Sequence, residues 1–150
     1  MGRIRAVLAV VAVVLAIAGA AAAQQRAACS RDDFEAAVDE AAAALRDLTQ
    51  KNRPAFQDLL RQLKDKRGWS HDQFIAEAAP FVKDGTIEEF DSRSDAALSR
   101  LTAMGQAGSQ SKTPDCRLLA ELRSHMQALV DIQTEKWRYM FGRIEAELRK

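Results

Sequence analysis

Residues 113–150 read TPDCRLLAELRSHMQALVDIQTEKWRYMFGRIEAELRK. Thr113-Pro114 offers a capping residue followed by a proline, whose missing N–H costs nothing in the first helical turn. Apolar residues then recur at Leu119, Leu122, Met126, Leu129, Trp137, Met140, Ile144 and Leu148, in steps of three and four with Gln133 holding one place. Leu118, Val130, Ile132 and Phe141 widen the stripe. This spacing predicts one unbroken helix of about 36 residues, roughly 54 Å long at 1.5 Å per residue. So long a helix with a single apolar stripe is stable only when other helices cover the stripe.

A matching arm lies upstream. Ser30 with Asp33 three residues later predicts a helix start. Phe34, Val38, Ala41, Leu45, Leu48, Ala55, Leu59 and Leu63 then repeat the heptad pattern, Asn52 taking one seam place. Pro54 interrupts the backbone bonding but not the phase, so a kink is expected there in preference to a new start capped by Asn52. Lys64, Lys66 and Arg67 before Gly68 mark the end. Ser70-x-x-Gln73 opens a short helix with Phe74, Ile75 and Ala78 inward, and Thr86-x-x-Glu89 opens another after Asp84-Gly85. The stripe of the latter is Ile87, Phe90, Ser94, Ala97, Leu98, Leu101 and Met104; it should stop at Gly105, with 106–112 as a loop.

The fold expected is therefore all-α: an up-down-up bundle of three long arms, the middle one broken, four helices in total. That layout sends Trp69, Phe74, Trp137 and Phe141 to one end as an aromatic cluster. It brings Cys29 and Cys116 to the other.

The first residues carry a different message. Arg3 and Arg5 precede an uncharged apolar run from Ala6 to Ala18, and small residues follow up to Ala23. This is the pattern of a secretory signal peptide cleaved before Gln24, and the run is short for a membrane span. The expected organisation is thus a signal peptide at 1–23 and one bundle domain at 24–150, exported to the periplasm or secreted. No later stretch is apolar over membrane length. In an oxidising compartment Cys29 and Cys116 form one disulfide, which closes a long loop and constrains the unfolded chain.

Charge restricts the partners. The chain has 22 Lys+Arg and 21 Asp+Glu, so it lacks the basic excess that would neutralise phosphates, and nucleic acid is not an expected partner. No Gly-x-Ser-x-Gly turn, phosphate-cradling glycine loop or C-x-x-C-H haem attachment is present, and no cofactor is expected. His125 stands one helical turn after Glu121, which makes the two a weak metal pair in need of a third ligand. Tyr139 falls off the stripe of the last helix; with Ile132, Lys136 and Arg143 it forms an aromatic and basic combination of the kind found at protein interfaces. Those four residues mark the expected patch for a protein partner or a homodimer.

Leu48-Thr49, with Asn52 where a glutamine would stand, resembles a fragment of the LTxxQ repeat of the Spy and CpxP type of periplasmic chaperone. No second copy is found, so the likeness is one of architecture. It implies a cradle-like helical dimer with a basic concave surface. The function expected is a non-catalytic binding or chaperone-like role, the alternative being a small-ligand or metal carrier with a pocket near His125.

Overall fold

A computed structural model describes residues 29–150, and the expected signal segment at 1–23 lies outside them. The described residues form four helices and no strand: α1 (Arg31–Arg67), α2 (His71–Val82), α3 (Gly85–Gln110) and α4 (Cys116–Arg149). No helix among them is long and apolar enough to cross a membrane.

The helix ends follow from local chemistry. The Ser30 hydroxyl accepts from the Asp33 amide while the Asp33 carboxylate accepts from the Ser30 amide, a reciprocal capping box. The Ser30 amide and hydroxyl hold the Asp33 carboxyl below its ordinary value. Ser70 and Gln73 repeat the box at α2. Gly68 ends α1 in the left-handed region, φ 65°, and its amide and that of Trp69 return to the Asp65 and Lys64 carbonyls; only glycine takes this conformation without a Cβ penalty.

At Pro54 the expected continuity holds, and two later boundaries differ from expectation. α1 runs through Pro54 without restarting, and Asn52 is no cap: its side-chain amide donates to the Leu48 carbonyl inside the helix, at 2.8 Å. α3 continues past Gly105 to Gln110, because an interior glycine costs a helix only about 1 kcal/mol and does not by itself end it. α4 starts at Cys116 under Asp115, whose carboxylate accepts from the Arg117 and Leu118 amides at 2.9 and 3.3 Å. An aspartate next to the helix outcompetes the Thr113-Pro114 pair, since it reaches two free amides and brings a negative charge to the positive end of the dipole.

α4 is the central element. It packs along its length on α1 and on α3, and briefly on α2. The α1 and α4 helices are parallel, joined near their first turns by the Cys29–Cys116 disulfide, with Cα atoms 5.4 Å apart. Near their last turns Arg67 meets Glu147 at 3.1 Å and Lys66 donates to the Leu148 carbonyl at 2.6 Å. α3 is antiparallel to α4: Asp91 pairs with Lys136, Ser94 with Gln133, and Arg93 with Glu135 at 3.5 Å, so partners ascend on one helix as they descend on the other.

The main core lies at the end away from the disulfide. Phe56, Leu63, Phe81, Ile87, Met140 and Ile144 are buried together, with Trp69, Trp137, Tyr139 and Phe141 packed against them. Phe56 stands edge-on to Trp137 and Phe141 at 6.1 and 5.5 Å. The aromatic cluster is thus where the layout put it, but Phe56 occupies its centre and the neighbouring Ala55 of the expected stripe is exposed. Phe74, expected in the cluster, is not among these residues; its ring lies under the Lys64 ammonium at 5.8 Å. Ile75, expected inward, is 60% exposed, and Phe81 takes the interior of α2 instead.

Candidate functional site

At the disulfide end the bundle is open. Phe34 and Val38 of α1, Leu101, Gly105 and Gly108 of α3, and Leu122 and Met126 of α4 wall a mainly apolar cleft of about 650 Å³. Volumes of this order are typical of ligand sites. Ser111, Pro114 and Asp115 of the α3–α4 link close one side.

The cleft exists because α3 runs out of bulk where it passes α1. Gly105 has open space where a side chain would stand, with no atom within 4 Å of an ideal Cβ. Gly108 comes closer, its Cβ position 3.4 Å from Leu118 and 3.9 Å from Phe34. The two glycines sit on the inner face of α3, and the missing side chains leave apolar wall uncovered. Val38, read as core in the heptad stripe, is 46% exposed. A smaller groove of about 450 Å³ between Ala37, Ala41 and Ala44 of α1 and Arg123 and Val130 of α4 shares Met126 with the cleft. Met126 is half-buried, and an unbranched thioether there adapts to whatever either hollow holds.

The charged lining is uneven. Three acidic residues, Glu35, Asp39 and Asp115, line the cleft with one basic residue, Arg31. The Asp115 carboxylate is engaged with the amides of α4. Glu35 and Asp39 stand one turn apart on α1, and neither has a hydrogen-bond or ion-pair partner among the described residues. Where the likeness to periplasmic chaperones implied a basic concave surface, this hollow carries more acid than base.

The residues picked out by sequence lie elsewhere. Ile132 is buried, 9% exposed, and Lys136, Tyr139 and Arg143 are half-buried against the α2–α3 side of α4. Lys136 pairs with Asp91, the Tyr139 hydroxyl donates to Asp84 at 2.8 Å, and the Arg143 guanidinium donates to Asp84 and to the Pro80 carbonyl. Arg143 also lies over the Phe81 and Tyr139 rings at 5.5 and 5.7 Å. The polar tips of the expected partner patch are therefore spent in holding α2 and α3 to α4. Asp84 sits at the centre of that network, capping α3 through the Ile87 amide at 2.8 Å. The Ile87 amide, with the Tyr139 hydroxyl and the Arg143 charge, holds its carboxyl below the ordinary value.

Glu121 is exposed and pairs with Arg117 at 3.8 Å, while His125 is half-buried on α4 outside the cleft lining. Among the described residues no group of three His, Cys, Asp or Glu comes together in a way that could hold a metal ion. Sequence reasoning missed the cleft; the signal was the pair Gly105 and Gly108 falling on the stripe of α3 opposite Phe34 and Val38. In comparisons with known proteins, no family profile matches the chain, and no curated protein or solved structure matches it significantly.

Proposed function

We propose that the protein is an exported, non-catalytic binding protein of chaperone-like type, which shelters apolar segments of other polypeptides in the cleft between α1, α3 and α4. The observation that carries this reading is the cleft itself: open to solvent, walled by Phe34, Val38, Leu101, Leu122 and Met126, and held at its end by a disulfide. An apolar surface left uncovered at a built hollow, with no packing need for the gap, is what a binding protein keeps and a purely structural bundle fills. The pattern of residues 1–23 supports export, and a disulfide is the staple suited to an oxidising compartment.

The test is prevention of aggregation of a heat-unfolding client protein, without reductant so that the Cys29–Cys116 bridge stays closed. Gly105→Leu grows a side chain into the open space of the cleft and favours the α3 helix. The wild-type chain is expected to suppress client aggregation near equimolar ratio and the Gly105→Leu protein to have lost this ability with its helix content intact. Equal behaviour of the two proteins overturns the reading.

A further inference from the structure

The charges at the cleft distinguish among apolar occupants. Glu35 and Asp39 are presented by the same wall as Phe34 and Val38, and Asp115 adds a third carboxylate from the link, against the single cation Arg31. The α3 and α4 residues that line the cleft, Leu101 and Met126 among them, are uncharged. This is a local field and not a consequence of the overall balance, which is +1 for the whole chain. Glu35 and Asp39 repel one another at their i, i+4 spacing, and neither is neutralised within the described residues. Beside apolar walls, with water displaced by an occupant, a cation between them is screened less than at an open surface.

Resting on the cleft as the binding site, we propose that its occupant is a polypeptide segment that combines apolar side chains with Lys or Arg. The apolar side chains enter between Val38 and Leu101, and the cationic tip meets Glu35 and Asp39. Segments carrying Asp or Glu beside the same apolar residues are turned away, since like charge across an interface selects against a partner more strongly than opposite charge binds one. Such selection suits a binding protein that meets unfolded chains before their basic segments find native partners.

Two short fluorescent peptides with one leucine pattern, one bearing Lys and the other Glu at the intervening places, test this by anisotropy titration against the whole disulfide-bonded protein. The Lys peptide is expected to bind about tenfold more tightly, with the difference shrinking as salt is raised. The Glu35→Lys/Asp39→Lys protein, both sites being exposed and its fold checked by circular dichroism, is expected to lose or reverse the preference. Gly105→Leu is expected to weaken both peptides. Equal binding of the two peptides, both blocked by Gly105→Leu, overturns the charge selection and leaves the cleft as the binding site. Lys-peptide binding that Gly105→Leu does not weaken, or no binding of either peptide, overturns the cleft reading as well.

Discussion

The Gln133 side-chain amide donates to the Ser94 hydroxyl at 2.7 Å, across the seam between α3 and α4. Ser94 is 6% exposed, and its hydroxyl donates to the Phe90 carbonyl at 2.9 Å. Both residues occupy stripe positions where apolar side chains would pack, so the pair is a polar rung within an otherwise apolar contact. Such rungs fix the register of one helix against another.

Breaking the rung on one side should therefore leave less to lose on breaking it at the other. Ser94→Ala is expected to destabilise by about 1 kcal/mol, and Ser94→Ala/Gln133→Leu by less than Ser94→Ala and Gln133→Leu taken separately would sum to. Urea titrations of the four proteins of the cycle measure the difference. Simple additivity would show that the rung carries no coupling.

The two ends of the bundle should respond differently to truncation. Ile144 is fully buried among Phe56, Leu63, Met140 and their neighbours, so Ile144→Ala is expected to cost about 2–5 kcal/mol. Leu98, on the same stripe of α3 in sequence terms, is 49% exposed, and Leu98→Ala should stay within about 0.5 kcal/mol. Thermal unfolding followed at 222 nm separates these.

Acid should loosen the α2–α3 junction. The Asp84 carboxyl is held below its ordinary value by the Ile87 amide above all, then by the Tyr139 hydroxyl and Arg143. A carboxyl depressed in the folded state contributes stability that is fully present above its unfolded value and is lost as pH falls through the folded one. Stability is thus expected to decline below the ordinary carboxylate range, and Asp84→Asn to flatten that decline at the cost of a lower Tm at neutral pH. Melting curves across the acid range check both parts; an unchanged acid limb in the variant would remove Asp84 from the account.

The disulfide spans 87 positions of sequence, and in the chain-entropy model a loop of this length contributes about 4–5 kcal/mol. It acts at the end where the apolar core is thinner and the cleft opens. Cys116→Ser is expected to lower stability markedly against the oxidised wild type and to match the wild type under reductant. Equal melting of the two proteins without reductant would show that the bridge does not form.

The three arms were legible because their signals are local and repeated. The capping boxes at Ser30 and Ser70, the Gly68 stop and the steps of α4 from Leu119 to Ile144 each depend on residues within a turn or two. The meeting of Cys29 with Cys116 followed from arm length together with the export pattern of the first residues. What escaped depends on comparing arms. Ala55 and Phe56 both fall within the breadth of one helical face, and only the space beside Trp137 and Phe141 decides that the aromatic ring goes inside. The contacts of Tyr139 and Arg143 with Asp84 escaped because Asp84 lies more than fifty positions away in sequence and was seen only as a turn residue. The cleft is the hardest case. It arises from side chains that Gly105 and Gly108 lack, and an absence on one helix acquires meaning only when the facing helix is known.

Hydrogen exchange measured by mass spectrometry, with and without an unfolded client, tests the central claim most directly. The account predicts that client binding slows exchange in residues 34–39 of α1 and 101–108 of α3, the two walls of the cleft, and leaves the Phe56–Ile144 core end unchanged. Protection confined to α2 or to the Lys136–Arg143 face of α4, or none at all with client bound, would contradict it.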